Sequence, residues 1–441
     1  MRPGLLRHPL ESPVDPVEAF RRLAAAESDL FFLDGAGAGR AYLGTGPPVV
    51  LEPGAVLPGL RAALARPALA AVVGWVEYEA RGETTGAAIP PLSAAPAAFL
   101  AVERLLEIDE VTGEAALLAA ADEWSGDLAA WRDRMADLLS DAAPAHPDAD
   151  AGVPSRTAGA EAPPPRVVAE WEDDRAAYEA KVRACQEAIR EGEAYQLCLT
   201  TRVRVDGPVD PVATYLRLRE TTPAHHGGVI RIGDRALLSA SPERFLVMAD
   251  GVVRTSPIKG TRPRDADPAR DAELAAELRA SDKEQAENLM IVDLMRNDLS
   301  RVCEVGTVEV SRLLAVESYP AVHQLVSDIE GRIADGLDLV DVLGACFPAG
   351  SMTGAPKRRA TEILDGLERS PRGVYSGTFG YLTPDGRADL AMVIRSIVVD
   401  PGGATVGAGG GITALSVPDE EYDEMRLKAR APLAALGALD D

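Results

Sequence analysis

The segment TSPIKGTRPR, residues 255–264, sets Lys259 between Ile258 and Gly260. The chain holds five lysines against 40 arginines, so arginine is its default cation. Arginine stays protonated at any usable pH, whereas a desolvated lysine can release its proton. A lysine kept in such a chain is a candidate for amine chemistry; the plain alternative is a solvated turn lysine. Two acidic runs add to this. Glu284 and Glu287 lie three residues apart before the apolar run LMIVDLM, and Glu421, Glu424 and Lys428 follow at spacings of three and four. Taken singly, each is accounted for by a solvated helix face with an i,i+4 ion pair. Converging, the two faces would suit a hard divalent cation, which takes one or two carboxylates and fills its shell with water and substrate oxygens. Ser281 and Glu284 also fit a capping box, which gives Glu284 a structural use and leaves Glu287 without one. Arg395, in LAMVIRSIVV, shares a strand face with Val393 and Ile397 by period-two alternation. A guanidinium on an apolar face requires an anion, either an internal carboxylate or a bound one.

The elements that must position these groups are legible in outline. Residues 140–166, SDAAPAHPDADAGVPSRTAGAEAPPPR, hold almost no large apolar residue and read as a linker or long loop. They divide the chain into a front region (1–139), a linker (140–170) and a back region (171–438). The front region shows short strand-like runs (DLFFLDG, AYLGTG, AAVVGWVEYEA, AAFLAVERLLEID), then helical spacing near 123–140. The back region opens with a helix, since Tyr178, Val182, Cys185 and Ile189 recur at helical spacing and Gly192 then breaks into a strand. GDRALLSASPERFLVMADGVVRTSPIKGTR reads as paired strands turning at ADG, and ARDAELAAELRASDKEQAENLMIVDLMRNDLSRVC as helix. FPAGSMTGAPKRRATEIL puts Pro356 near a helix start, where backbone N–H groups can meet a carboxylate or simply be capped. GAGGGIT, 407–413, permits a close backbone approach to a ligand or a bulged strand. Strands and helices come in blocks, which argues for α+β layering over a doubly wound sheet.

Composition narrows the function. A formal charge of −24 over 441 residues disfavours nucleic acid and anionic membrane surfaces as partners, while a small anion at a local site stays possible. The four cysteines show no CxxC spacing and read as reduced thiols. The start, MRPGLLRHPLESP, lacks an apolar targeting core and no run is long enough to span a membrane, so a cytoplasmic protein is expected. No cysteine sits in a G-x-C-x-G elbow, and there is no Walker A, no GxGxxG opening a helix and no histidine-rich metal motif.

In order, AYQLCLTTR, SASPERFL, SPIKGTRPR, KEQAENLMIVDLMRNDLSRVC, VHQLVSDIEG, FPAGSMTGAPKRRATEIL, YSGTFGYL, IRSIVV and EYDEMRLKAR resemble the chorismate-utilising enzymes, densely over about 171–436 and more loosely before. The resemblance implies two antiparallel β-sheets packed as a sandwich with helices outside. It implies chorismate as substrate and Mg²⁺ as cofactor, held by Glu287 and Glu424 with Glu284 and Glu421 behind them. Lys428 matches a basic residue near the same substrate carboxylate. Tyr375 and Arg395 match binders of the enolpyruvyl carboxylate, and Thr261 and Gly411 match groups that approach the substrate. Glu243, in SPERF, matches the general acid/base. Within the family, anthranilate synthases usually read P-I-A-G-T where this chain reads P-I-K-G-T, the form common in the 4-aminating branch. Gln196 stands where the isochorismate and salicylate synthases carry a water-activating lysine. Gln196 thus implies a nucleophile other than water and Lys259 the 4-aminating branch, together the aminodeoxychorismate synthase component I reaction, with a separate glutamine amidotransferase supplying ammonia. The alternatives are anthranilate synthase component I and a chorismate-binding regulatory subunit without turnover. Two departures stand out. The family's H-L-V-S reads Gln324-Leu-Val-Ser here with His323 one place early, which on a strand is the opposite face. Tryptophan-regulated relatives carry L-E-S where this chain has LDG, which argues against a tryptophan allosteric site.

Overall fold

A computed structural model describes residues 4–35, 39–89, 91–140, 166–319 and 322–438. Two sheets, one of 12 strands and one of nine, carry the fold, and every recorded pairing is antiparallel. The sheets pack face to face through Phe31, Val73, Trp75, Leu100, Leu118, Ile230 and Phe379. Helices cover the outer faces through two further apolar clusters, one holding Phe20, Tyr178, Tyr215 and Met425, the other Phe245, Ile291, Met295 and Phe347. Each fully buried side chain of this size contributes roughly 1.5–3 kcal/mol. The layering is the α+β sandwich implied by the sequence.

Front and back regions do not form separate layers. The strand Leu30–Asp34 pairs with His226–Ile232 in the larger sheet, and Ala71–Val76 pairs with Thr378–Leu382 in the smaller. Both sheets therefore cross the expected boundary. Most of the expected linker lies outside the described residues, but its end, Ala169–Trp171, is a strand paired with residues 203–205. Among the described residues no helix is long and apolar enough to cross a membrane.

Nine elements position the site. They are strands β1 (Gln196–Asp206), β2 (Arg244–Ala249), β3 (Ile258–Pro263), β4 (Val322–Arg332) and β5 (Gly403–Ile412), with helices α1 (Pro268–Ala280), α2 (Asp282–Ser300), α3 (Lys357–Leu367) and α4 (Pro418–Leu436). The run 269–303, expected as one helical stretch, breaks at Ser281, whose N–H still bonds Leu278 O while its hydroxyl accepts from Glu284 N at 3.4 Å. No return bond from Glu284 to Ser281 forms, so the capping box is half made. Glu284 turns instead toward β3, where its Oε1 lies 3.6 Å from Arg262 Nη1. The glycine-rich run 407–412 is not bulged: β5 keeps continuous register with β1 from Gly403↔Asp206 to Ile412↔Leu197. Arg395 departs from expectation. It lies between strands with φ +51°, so the alternation that placed it on a face with Val393 and Ile397 is broken there.

Candidate active site

Gly260 is the pivot of β3. Its φ of +77° breaks the register with β4 between Lys259 and Thr261, and a Cβ there would lie 2.9 Å from Glu284 Oε2 and 2.8 Å from Leu278 Cδ1. Glycine alone permits both the conformation and the approach of α2. The bulge leaves Thr261 exposed and Lys259 largely covered, with Nζ 3.9 Å from Glu287 Oε2. Opposite, β5 supplies a floor without side chains. A Cβ on Gly411 would stand 2.3 Å from Gln196 Nε2 and 3.5 Å from Lys259 Nζ, and one on Gly410 would stand 3.1 Å from Glu421 Oε2. The glycines therefore let Lys259, Gln196 and Glu421 approach one strand together.

Four carboxylates project from the first two turns of α2 (Glu284, Glu287) and of α4 (Glu421, Glu424). Helix N-termini favour negative charge, which eases the crowding. Burial pushes Glu287 up from the usual carboxylate range; Lys259 opposes the rise, and Glu284 and Glu424 add to it. Burial also pushes Glu421 up, against a 2.7 Å hydrogen bond from Ser416 Oγ. Glu424 is held low, chiefly by Lys428, whose Nζ lies 2.7 Å from its Oε1 and also donates to Gly409 O at 2.9 Å. Lys283 was not foreseen. Burial pulls its ammonium down, but the charges of Glu287, Glu421, Glu424 and Glu284 outweigh that and push it up. Three of the five lysines thus serve this cluster, so the scarcity that singled out Lys259 would have found Lys283 too.

Glu243 closes the other side. It is buried, its Oε1 accepts from Ser351 Oγ at 2.8 Å, and burial pushes it up against that bond and the charges of Lys259 and Lys428. Ser351 sits on the single turn Gly350–Met352 within the FPAGSMTGAPK motif, ahead of the helix start that the motif announces, where Lys357 bonds Asp298 at 2.6 Å.

Tyr375 and Arg395 form a second pair. The Tyr375 ring lies where a Cβ on Gly407 would fall 2.1 Å from it, and its neighbour Ser376 has φ +64°. Left-handed φ at Ser376 and Arg395 costs of order 1–3 kcal/mol each, a strain that recurs where side chains are held for function. Burial holds Arg395 below the usual guanidinium range, and its side chain makes no hydrogen bond or ion pair among the described residues. Gln196, 1% exposed, likewise leaves both amide atoms without a partner. A desolvated cation and an unsatisfied amide are costly unless something binds them. Among the described residues no internal carboxylate lies within ion-pair distance of Arg395, although the charge of Glu424 acts on it.

His323 does not join the cluster. Its Nε2 meets Asp271 of α1 at 3.0 Å and its Nδ1 meets Ser318 Oγ at 2.8 Å, on the face away from the buried Gln324. No three His, Cys, Asp or Glu side chains among the described residues are near enough to hold a metal by themselves. An all-carboxylate pair, Glu287 and Glu424, still fits Mg²⁺, which needs only one or two such ligands when substrate oxygens complete the shell.

A profile of the chorismate-binding enzymes matches residues 52–434. An aminodeoxychorismate synthase of Streptomyces pristinaespiralis is 42% identical over 376 residues, covering 82% of this chain and 50% of that protein. Anthranilate synthase component 1 of Streptomyces coelicolor is 39% identical over 453 residues, covering 97% of this chain and 87% of the relative. The crystal structure of anthranilate synthase component I from Streptococcus pneumoniae has a TM-score of 0.73 at 25% identity, covering 98% of this chain and 92% of that one. The chain spans about half the length of the Streptomyces aminodeoxychorismate synthases it matches.

Proposed function

The chain belongs to the chorismate-binding enzyme family, and we propose that it is an aminodeoxychorismate synthase component I, converting chorismate and ammonia to 4-amino-4-deoxychorismate, the precursor of p-aminobenzoate. The observation that carries this reading is the placement of Lys259, over the same face of Gly411 as Gln196 and beside Glu287. A nucleophilic role uses the free amine, since an ammonium has no lone pair. The Lys259 amine attacks ring carbon 2. The ring double bonds shift, the C4–O bond breaks, and the hydroxyl leaves as water with a proton from Glu243. Ammonia then bonds to carbon 4, the double bonds shift back, and the lysine leaves carbon 2. The bond from Ser351 fixes one oxygen of Glu243, and burial keeps its proton available.

Arg395 and Tyr375 hold the enolpyruvyl carboxylate, which gives the unpaired guanidinium its anion. Charge balance supports a divalent cation on the ring carboxylate. With Lys259 acting as the free amine, the four carboxylates face Lys283, Lys428 and Arg262, and Arg395 is taken by the enolpyruvyl carboxylate, so one protein carboxylate and the ring carboxylate leave two charges uncompensated. Mg²⁺ on Glu287 and Glu424 would supply them and polarise the substrate as a Lewis acid. The ammonia would come from a glutamine amidotransferase partner.

Anthranilate synthase component I is the second reading, favoured by the nearly end-to-end match to the S. coelicolor protein. Lys259 weighs against it, because its side chain occupies the approach to carbon 2 that ammonia would need. Chorismate, Mg²⁺ and ammonium incubated with the chain, with products separated by chromatography, decide. The proposal requires 4-amino-4-deoxychorismate; anthranilate as the main product favours the second reading, and no amination at all rejects both.

A further inference from the structure

Arg372 touches none of the reactive groups, yet its side chain is 3% exposed and all its donor directions are used. Its Nε and Nη2 bond the two oxygens of Glu368 at 2.8 and 2.7 Å. Nη2 also bonds Cys198 O at 2.8 Å, while Nη1 bonds Met352 O at 2.7 Å and Ser376 Oγ at 3.3 Å. The guanidinium lies over the Tyr78 ring, 4.2 Å from its centroid. An ion pair with Glu368 would suffice for a structural role. The other three bonds reach three separate segments, and each of those segments carries a site residue. Cys198 is two places beyond Gln196 on β1; Met352 follows Ser351, which holds Glu243; Ser376 follows Tyr375 and has φ +64°. Glu368 ties in the same strand again, accepting from Thr200 N and Oγ1, each at 3.0 Å.

We propose that Arg372 is a positioning residue that sets Gln196, Glu243 and Tyr375 relative to one another through those three bonds. The strained turn at Ser376 needs such an anchor, because a left-handed conformation persists only where its surroundings over-determine it. Arginine is required for its fixed fork: lysine keeps the charge beside Glu368 but is a single point that cannot span two carbonyls and a hydroxyl.

This inference rests on the proposed reaction for its kinetic arm and on chorismate binding alone for the other. Calorimetry with chorismate and Mg²⁺ should show Arg372→Lys, folded by thermal melting, binding about tenfold more weakly or worse. Turnover of chorismate with ammonium should fall about a hundredfold in kcat/KM, in line with an ångström-scale misplacement. The limb of the pH profile set by Glu243 should move to higher pH, since the bond from Ser351 that favours the carboxylate is loosened. Ser376→Ala leaves the Arg372–Glu368 pair intact and should weaken binding in the same direction by a smaller factor, which keeps the test open if Arg372→Lys fails to fold. Binding within twofold of wild type in the folded variants, with an unmoved pH profile, overturns the assignment and leaves Arg372 a structural ion pair. Wild-type protein that binds chorismate but does not aminate carbon 4 rejects the proposed reaction instead, and the binding arm still decides the role of Arg372.

Discussion

Three consecutive glycines of β5 make a graded test, because a methyl group added at each meets a different neighbour. At Gly411 the new Cβ would stand 2.3 Å from Gln196 Nε2, where ordinary contact begins near 3.4 Å, so the amide must move by about 1 Å. Gly411 has no left-handed φ and the atom it meets ends a flexible side chain, so the fold should survive. The displaced amide is enclosed at 1% exposure and shares that face of the glycine with Lys259. A misplacement of about 1 Å among reacting groups typically costs about a hundredfold in rate, or about 2.7 kcal/mol of transition-state stabilisation. At Gly410 the Cβ meets Glu421 Oε2 at 3.1 Å, a few tenths too near, and the expected loss is only about threefold. At Gly409 it meets the backbone, Leu199 O at 2.3 Å, so β1 and β5 must part and about 1–3 kcal/mol of stability is lost. Ammonium-dependent turnover and a thermal melt on each alanine variant separate the three cases. The reasoning fails if Gly411→Ala keeps kcat within threefold of wild type, or if it loses activity only by unfolding.

Glu287→Gln should act on metal and stability in opposite senses. With one proposed ligand lost, far more Mg²⁺ should be needed for turnover, and excess chelator should abolish wild-type activity; full turnover in chelator would refute the metal assignment. Burial raises Glu287, so its stabilising contribution is present below the ordinary carboxylate value and is lost as pH rises through the raised one. At neutral pH its charge therefore burdens the metal-free fold, and Glu287→Gln should melt higher than wild type at pH 7, with the difference shrinking in acid. An unchanged or lower melting temperature contradicts the burial argument. Glutamine should be no nitrogen source for this chain by itself: all four cysteines are buried, and burial raises Cys185 to about 12 and Cys303 to about 11, the reverse of an activated thiol. Ammonium at alkaline pH should serve, and adding a glutamine amidotransferase subunit should restore glutamine use; glutamine-driven amination by the pure chain would overturn this.

The sequence disclosed which groups converge better than how they are held. Lys259, Glu287, Glu421 and Glu424 could be picked out because composition made one unusual and helical spacing aligned the others. Their meeting depends on the Gly260 bulge and on the register of β5 with β1, which no local pattern encodes. Alternation misled at Arg395, since a single left-handed residue resets the period of two and nothing in IRSIVV announces it. Arg372 and Ser351 escaped notice for another reason: their importance lies in partners over a hundred residues away, Cys198 and Glu243, and an isolated Arg or Ser carries no such signal. The front region read correctly as strands, yet its strands complete both sheets rather than a layer of their own, because edge pairing is a long-range choice.

The central claim is that the Lys259 amine forms a bond to the substrate. Incubation with chorismate and Mg²⁺ in the strict absence of ammonia, followed by denaturation and peptide mass mapping, tests it directly. The account predicts that the peptide bearing Lys259 gains the mass of chorismate less one water, that Lys259→Arg gains nothing and does not aminate carbon 4, and that adding ammonium before denaturation discharges the adduct as 4-amino-4-deoxychorismate. An unmodified Lys259 in protein that turns over with ammonium, together with a Lys259→Arg variant that still aminates carbon 4, would reduce the lysine to a charge and contradict the account.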